Sequence, residues 1–354
     1  IYSYFEKKRV DDNSKFDEWN ANLESKLQSD KNFRQLWNQF NNFETSEVEL
    51  EWSSDEASRV IGGKILNEYG LSNKFIIGGS ADLAASTKQI ISDDTFGSNN
   101  FGGNSIEFGI REHAMGGIVN GLALHSNLIP YGSTFLVFSD YMRPSMRLAS
   151  LMNVNSLFIF THDSIYLGED GPTHQPIEHL MSLRLIPNLD VIRPSNSMEL
   201  VHSYRYALEK RDNPKAIILS RQNMKFFDND VSYKDFQTGA YEFMPGSDIT
   251  LIATGSELEL AFEISTKLKD LSIQIISAPI LNRLNEERLE SLSLNQNIFT
   301  IELGRTIGWD TYIKNIKKSF SIDSFGESAP IDQLAEKFNF NAEKISDEIR
   351  SLLN

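Results

Sequence analysis

The sequence predicts an α/β protein of two successive domains, each a mostly parallel sheet flanked by helices. Three observations predict it. Short apolar runs recur, each followed by a segment of helical pattern. The series stops at a turn-rich stretch near 222–247 and then starts afresh. The length, 354 residues, suits roughly two domains of ordinary size. Strands that are apolar throughout fit a sheet covered on both faces.

Residues 1–52 come first. They are polar and charged, with Phe16, Trp19, Phe33, Trp37 and Phe40 at helix-like spacing, and read as a helical linker packing on something else. From Ser54 the pattern changes. A helix is expected over 57–69, then a strand at 75–77 that runs into GGSADLAAS. A helix near 111–125 is followed by strand and helix through TFLVFSDYMRPSMRLASLM. Strands at 157–160, 189–192 and 216–219 complete a first domain, 53–225. The second domain, 238–354, opens with a strand at 249–253, the turn Thr254-Gly255-Ser256-Glu257 and an amphipathic helix to about Asp270. Strands at 274–278 and 298–302 follow, with a last helix at about 340–353. No repeat of solenoid period and no low-complexity tract occurs.

Composition bounds the function. Forty per cent hydrophobic and 11% aromatic residues exclude a disordered chain. Thirty-four basic residues against 49 acidic ones leave −15, a surface that repels nucleic acid and anionic membrane. A few local arginines can still dominate a pocket for an anionic small molecule. No run approaches the roughly 18 apolar residues of a membrane span. The absence of cysteine excludes disulfides, thiolate nucleophiles and zinc–sulfur sites, and fits a cytoplasmic protein. The sequence opens at Ile1 rather than methionine, so its start and any signal there are expected upstream.

THDSIYLGEDGPTHQP (161–176) gathers two of the six histidines, three acids and two glycines just after an apolar strand. Ligands in open α/β sheets bind beyond such strand ends. His174 and His179 are five apart, so they do not share a helix face and a zinc pair is disfavoured. What remains is hydrogen bonding to hydroxyls with proton transfer near neutral pH, or a solvent loop with incidental histidines. In IEFGIREHAMGGIVNGLALH (106–125), Gly116, Gly117 and Gly121 each cost the helix about 1 kcal/mol against alanine, which suggests close approach of another backbone. Arg111 and Glu112 there are surface charges, or Glu112 is a buried carboxyl sharing a proton with a ligand nitrogen.

Phe135, Phe138 and Tyr141 stand three apart, on one helical face, as core or as a slot for a flat heteroaromatic ring. Arg59, Ser86 and Arg221 lie at element edges. Each alone is an ordinary surface residue, whereas together with a histidine they could hold a sugar phosphate. The 252–257 turn is favoured as a structural turn over an anion site at a helix start.

GGSADLAAS, EFGIREHAMGGIVNGLALH, PYGSTFLVFSDYMRPSMRLASLM, THDSIYLGEDGPTHQP, RPSN, ILSRQN, IATGSE and SFGESAP occur in this order. Together they closely resemble the pyrimidine-binding and C-terminal domains of transketolases, from Ser54 to the C-terminus. GIREHAMGG and SRQN separate the chain from deoxyxylulose-phosphate synthases, and DGPTHQP separates it from pyruvate dehydrogenase beta subunits. The resemblance implies a thiamine-diphosphate-binding fold followed by a transketolase C-terminal fold. It also implies transfer of a two-carbon ketol unit from a ketose phosphate to an aldose phosphate, of pentose-phosphate or Calvin-cycle type. The expected assembly is a homodimer with sites at the subunit interface.

Residue by residue, Glu112 matches the glutamate on the cofactor's aminopyrimidine ring nitrogen. Phe135, Phe138 and Tyr141 match the aromatic slot, and Asp82 an acid beside the cofactor. His174 and Asp170 match residues on the donor's hydroxyls, His174 with a catalytic part. Arg59, Ser86, His162 and Arg221 match the grip on the sugar phosphate. The family's GDG…N motif does not occur, so no metal ligand is expected here. Magnesium ligands are expected from a diphosphate-binding domain ahead of residues 1–52, and the chain alone is not expected to turn over substrate. The alternatives are a dihydroxyacetone synthase and, in another class, a non-catalytic assembly or regulatory partner. Packing alone does not demand Glu112, His174 and Arg221 together, which argues against the latter.

Overall fold

The computed structural model describes residues 1–42, 48, 55–227 and 231–353. The chain divides into two compact units, Ile1–Glu44 and Thr45–Asn354. In the first, helices Tyr2–Ser29 and Lys31–Asn41 meet at Asp30, whose carboxylate accepts from the Phe33 amide at 3.0 Å and caps the second helix. Trp37 packs between Phe33 and Phe40 and reaches Trp19. The aromatic spacing thus encodes a helix pair. The end of the expected linker, 49–52, lies outside the described residues.

The second unit begins with β1 (Glu56–Ala57) and helix Ser58–Ser72. Its first sheet holds β2 (Ile76–Ser80), β3 (Ile129–Phe135), β4 (Leu157–Thr161), β5 (Asp190–Ile192) and β6 (Lys215–Leu219). They lie in the order β2-β3-β4-β6-β5, all parallel. β3, β4, β5 and β6 are buried along their whole length, as expected for a sheet covered on both faces. β7 (Asn223–Met224) pairs antiparallel with β1. The second sheet comprises β8 (Tyr241–Met244), β9 (Ile249–Ala253), β10 (Ile273–Ser277), β11 (Ile298–Ile301) and β12 (Ile316–Phe320). Its order is β12-β11-β9-β10-β8, parallel except for β8 at one edge.

Some elements depart from the sequence reading. β12, IKKSF, and the antiparallel β8 were not anticipated, because an edge strand half in water carries no continuous apolar run. Helix Ser197–Glu209 was also not anticipated. It buries polar groups such as Glu199, His202 and Ser203, which hides its apolar stripe. No helix among the described residues is long and apolar enough to cross a membrane.

Strand ends of the two sheets meet along a seam of buried ions. Arg193, one residue past β5, is fully buried and donates to Asp163, two residues past β4, at 2.7 and 3.0 Å. The same guanidinium reaches across to the Thr254 carbonyl at 2.9 Å and to Glu257. Burial alone would lower its pKa, and the charges of Glu257 and Asp163 more than offset that, so it stays a cation. Arg184 makes a fork with Glu302, two bonds of 2.8 Å, both partners buried. The 252–257 turn therefore grips a cation supplied by the chain itself. A Cβ on Gly255, at φ +57°, would fall 2.7 Å from that guanidinium. The structural reading of this turn is the one the geometry supports.

Candidate functional site

The site lies at the carboxyl ends of the first sheet, where four of its five strands each deliver one group. Asp82 follows β2, Phe135 ends β3, His162 follows β4 and Arg221 follows β6. Asp82 and His162 both hold left-handed backbone, φ 61° and 60°. Aspartate and histidine tolerate that region better than most residues, and such positions cluster at functional sites.

Helix Glu112–His125 starts with Glu112, only 8% exposed although its neighbours Arg111 and His113 face solvent. The helix N-terminus favours a carboxylate there. Glu112, Asp82, Phe135, Phe138, Tyr141 and His174 line one cleft of about 550 Å³. The aromatic trio does not sit on one helix. Phe135 ends a strand, Phe138 closes a 3-10 turn and Tyr141 lies on helix Ser139–Leu151. Their rings still adjoin: Phe135 and Phe138 stack at 5.9 Å and 10°, and Tyr141 follows at 6.1 Å. Phe135 is buried while Tyr141 is 65% exposed, so the row runs from core to cleft mouth. His174 stands edge-on to Phe135 and Phe138, at 6.4 and 5.8 Å.

Phe135 also stacks on His162, with centroids 3.7 Å apart. His162 is buried, and Arg59 and Arg221 are positive charges that act on it. Among the described residues neither arginine has an acidic partner. Arg59 is pulled down in pKa by burial and then by Arg221, so the two cations are close enough to repel. Arg59 donates to the Ser86 carbonyl, which brings the short helix Ala84–Thr87 into the cluster, and its Nε is buried without a partner. Cations without acidic partners beside a neutral histidine suit an anion. The structure thus brings Arg59, Ser86, His162 and Arg221 together. Asp170 sits exposed in the loop, four residues before His174.

Burial, then Arg59, Arg221 and His174, holds the His162 pKa down at about 3, against an ordinary 6.5. The Thr161 hydroxyl, 2.8 Å from His162 Nδ1, has no second acceptor among the described residues. Which of the two donates depends on the ring tautomer. Thr173 stands 2.9 Å from His174 Nδ1 in the same arrangement. These threonines were missed from sequence, although the repeated Thr-His pair in one loop was a readable signal.

The sign of the pH dependence follows. An unfolded chain takes a proton on this histidine below pH 6.5 and the folded one does not, so stability is complete above that pH and falls as pH drops toward 3. Between pH 7.5 and 5.0 the wild type should lose about 2 kcal/mol more than His162→Asn, measured by urea unfolding at both pH values.

The glycine-rich helix divides in two. A Cβ on Gly116 would come 2.7 Å from Ser145 of helix Ser139–Leu151, so that close approach is internal. Gly117 and Gly121 have nothing within 4 Å and share an open face with the exposed Ile118 and Leu124. His179 does not line the cleft with His174, and its Nε2 stands 3.2 Å from Asp140.

The transketolase pyrimidine-binding domain family matches residues 57–226, and the transketolase-like C-terminal domain family matches 239–341. A Staphylococcus aureus transketolase is 41% identical over 326 residues, 88% of this chain and 49% of its own length. One from Halalkalibacterium halodurans is 36% identical over 375 aligned positions, covering 56% of its length. The chain spans about half the length of the curated relatives it matches. Among solved structures, a Leishmania mexicana transketolase superposes with a TM-score of 0.89 at 30% identity over 96% of this chain and 52% of its own. A Pichia stipitis transketolase, solved with sedoheptulose-7-phosphate, gives 0.90 at 29% over 97% and 54%. A split-gene transketolase, an inactive beta4 tetramer, shares the fold at TM-score 0.69 and 24% identity, with 98% of its length covered.

Proposed function

The chain belongs to the transketolase family, and from that membership we propose that it carries the ring-binding and sugar-binding half of a ketol-transferring enzyme. Residues 53–225 are the pyrimidine-binding domain and 238–354 the C-terminal domain. The donor is a ketose phosphate and the acceptor an aldose phosphate. One observation carries the reading: Arg59 and Arg221, without acidic partners among the described residues, act on His162, whose ring stacks on Phe135 of the aromatic cleft that holds the buried Glu112. The sedoheptulose-7-phosphate held by the Pichia stipitis relative is of the same chemical class.

The cleft suits thiamine diphosphate on its own chemistry. Phe135, Phe138 and Tyr141 offer ring faces, and Glu112 offers a carboxylate at the cleft wall. When bound, that cofactor acts as the electron sink for breaking and remaking a carbon–carbon bond. Glu112 would hold a proton shared with the ring nitrogen. Asp82 would flank the ring. His174, through its Nε2, and Asp170 would hydrogen-bond the sugar's hydroxyls, His174 moving a proton at the reacting oxygen. Arg59, Arg221, His162 and Ser86 would fix the phosphate end. Magnesium and the diphosphate belong to the complementary half of the family architecture, which the matched segments do not include. Turnover therefore needs that half, in the same polypeptide or a second one. The open face of Gly117, Ile118, Gly121 and Leu124 suits an isologous contact in a cytoplasmic homodimer.

A dihydroxyacetone synthase would grip the same phosphorylated donor and differ in accepting formaldehyde, so acceptor kinetics separate the two readings, and the Arg59–Arg221 pair bears on the donor in both. The test is kinetic. In the enzyme assembled with its diphosphate-binding half, Arg221→Ala should lower kcat/KM for phosphorylated donors by roughly 100-fold and leave hydroxypyruvate or another unphosphorylated donor within about threefold. Equal losses for both would remove Arg221 from the phosphate grip.

A further inference from the structure

The loop that carries Asp170 and His174 starts in the first domain, yet its supports come from the second. Ile165 and Ile177, on either side of the two site residues, are buried in the second domain's core with Leu251, Phe299 and Ile345. Tyr166 donates its hydroxyl to the Phe340 carbonyl at 3.0 Å. Between these anchors stands Gln175, 2% exposed and adjacent to His174. Its amide nitrogen faces three carbonyls: Gly168 at 2.9 Å and Ile165 at 3.2 Å in its own loop, and Glu327 at 2.9 Å in the second domain. One side chain thus ties the loop to itself and to the segment 324–330.

That segment is shaped to receive it. A Cβ on Gly326 would fall 1.8 Å from Gln175 Oε1 and 2.8 Å from its Cδ. Any side chain at 326 displaces an amide that is already held on its other side. Ser328 donates to the Glu169 carbonyl, beside Asp170. Gly171, at φ +79°, lets the loop pass over Ser328, since a Cβ there would come 3.2 Å from the serine's own. The contacts are backbone-directed on both sides, which is how a loop is fixed in one conformation.

We propose that Gln175 and the segment 324–330 are positioning elements for the substrate loop, so that the second domain sets the placement of His174 and Asp170. This rests on the reading of those two residues as contacts to the sugar. A peg of this kind acts mainly on the sugar side, because Glu112 and the aromatic row stand on the first domain's own strand and helices and His174 is the one cleft-lining residue that the loop carries.

The test uses Gln175→Met, which keeps the volume and removes the donor, and Gly326→Ala, which pushes the amide aside. Amide hydrogen exchange in 165–175 should quicken by about tenfold or more in both, while β4 and helix Glu112–His125 keep their rates. In the enzyme assembled with its diphosphate-binding half, donor kcat/KM should fall by about tenfold, with the Kd for thiamine diphosphate within twofold. Ser328→Ala, which cannot threaten folding, should move both readouts in the same direction by roughly threefold. Unchanged exchange in the loop would overturn the proposal. So would quicker exchange with donor kcat/KM unchanged, or equal losses in donor and cofactor binding. The exchange experiment needs no substrate. A wild-type assembly without ketol transfer would therefore remove the functional reading, while the exchange result would still decide whether the second domain holds the loop.

Discussion

Glu112→Ala in the assembled enzyme should lower the turnover of ketol transfer by about a thousandfold or more, with the fold intact by circular dichroism. The size follows from where the carboxyl stands. It is buried at the head of a helix, lines the cleft beside Phe135 and Phe138, and is the only acid of that lining shut off from solvent among the described residues. Asp82, the other acid there, is exposed. A buried acid facing a ring nitrogen can hold a proton that bulk water cannot replace at the same place. Glu112→Gln separates two roles: the amide can keep a hydrogen bond to the ring but cannot accept or release the proton. If proton control is what Glu112 contributes, glutamine is nearly as damaging as alanine. If placing the ring is enough, glutamine retains most of the rate. Turnover unchanged in the alanine variant would remove Glu112 from the chemistry.

Arg193→Ala should destabilise the protein by about 3–5 kcal/mol, because it strands Asp163 and Glu257 in a dry seam. For a unit of this size that is roughly 5–8 °C in Tm. The comparison that isolates the cause is the triple variant Arg193→Met, Asp163→Asn, Glu257→Gln. It removes all three charges and should recover most of the loss, since the cost lies in the unpaired ions more than in the missing bonds. A single variant that melts within about 1 °C of wild type would show that water reaches the stranded acids.

How far the sequence foretold this can be judged residue by residue. The loop at 161–176 was readable as a site because it follows an apolar strand and concentrates titratable groups. Both properties are local. The three-residue spacing of Phe135, Phe138 and Tyr141 suggested one helix and was misleading: three elements meet there, and the rings adjoin through tertiary placement. Arg59 and Arg221 are 162 positions apart, and only the folded sheet shows that they share a neighbour with no acid between them. Gln175 carries no local mark. Its meaning lies in a glycine 151 positions later, which pattern reading along the chain cannot pair with it. The glycines of 116–121 were legible as a place of close contact. Which of them meets the chain's own helix, and which faces outward, required coordinates.

The sharing of Ile165 and Ile177 with the neighbouring sheet has a consequence for engineering. Sequence families draw a border between 226 and 239, yet the hydrophobic interior ignores it. A chimera joined at that border would import a core with two wrong plugs. Cutting the chain between the two matched segments would strip the second sheet's core of Ile165 and Ile177.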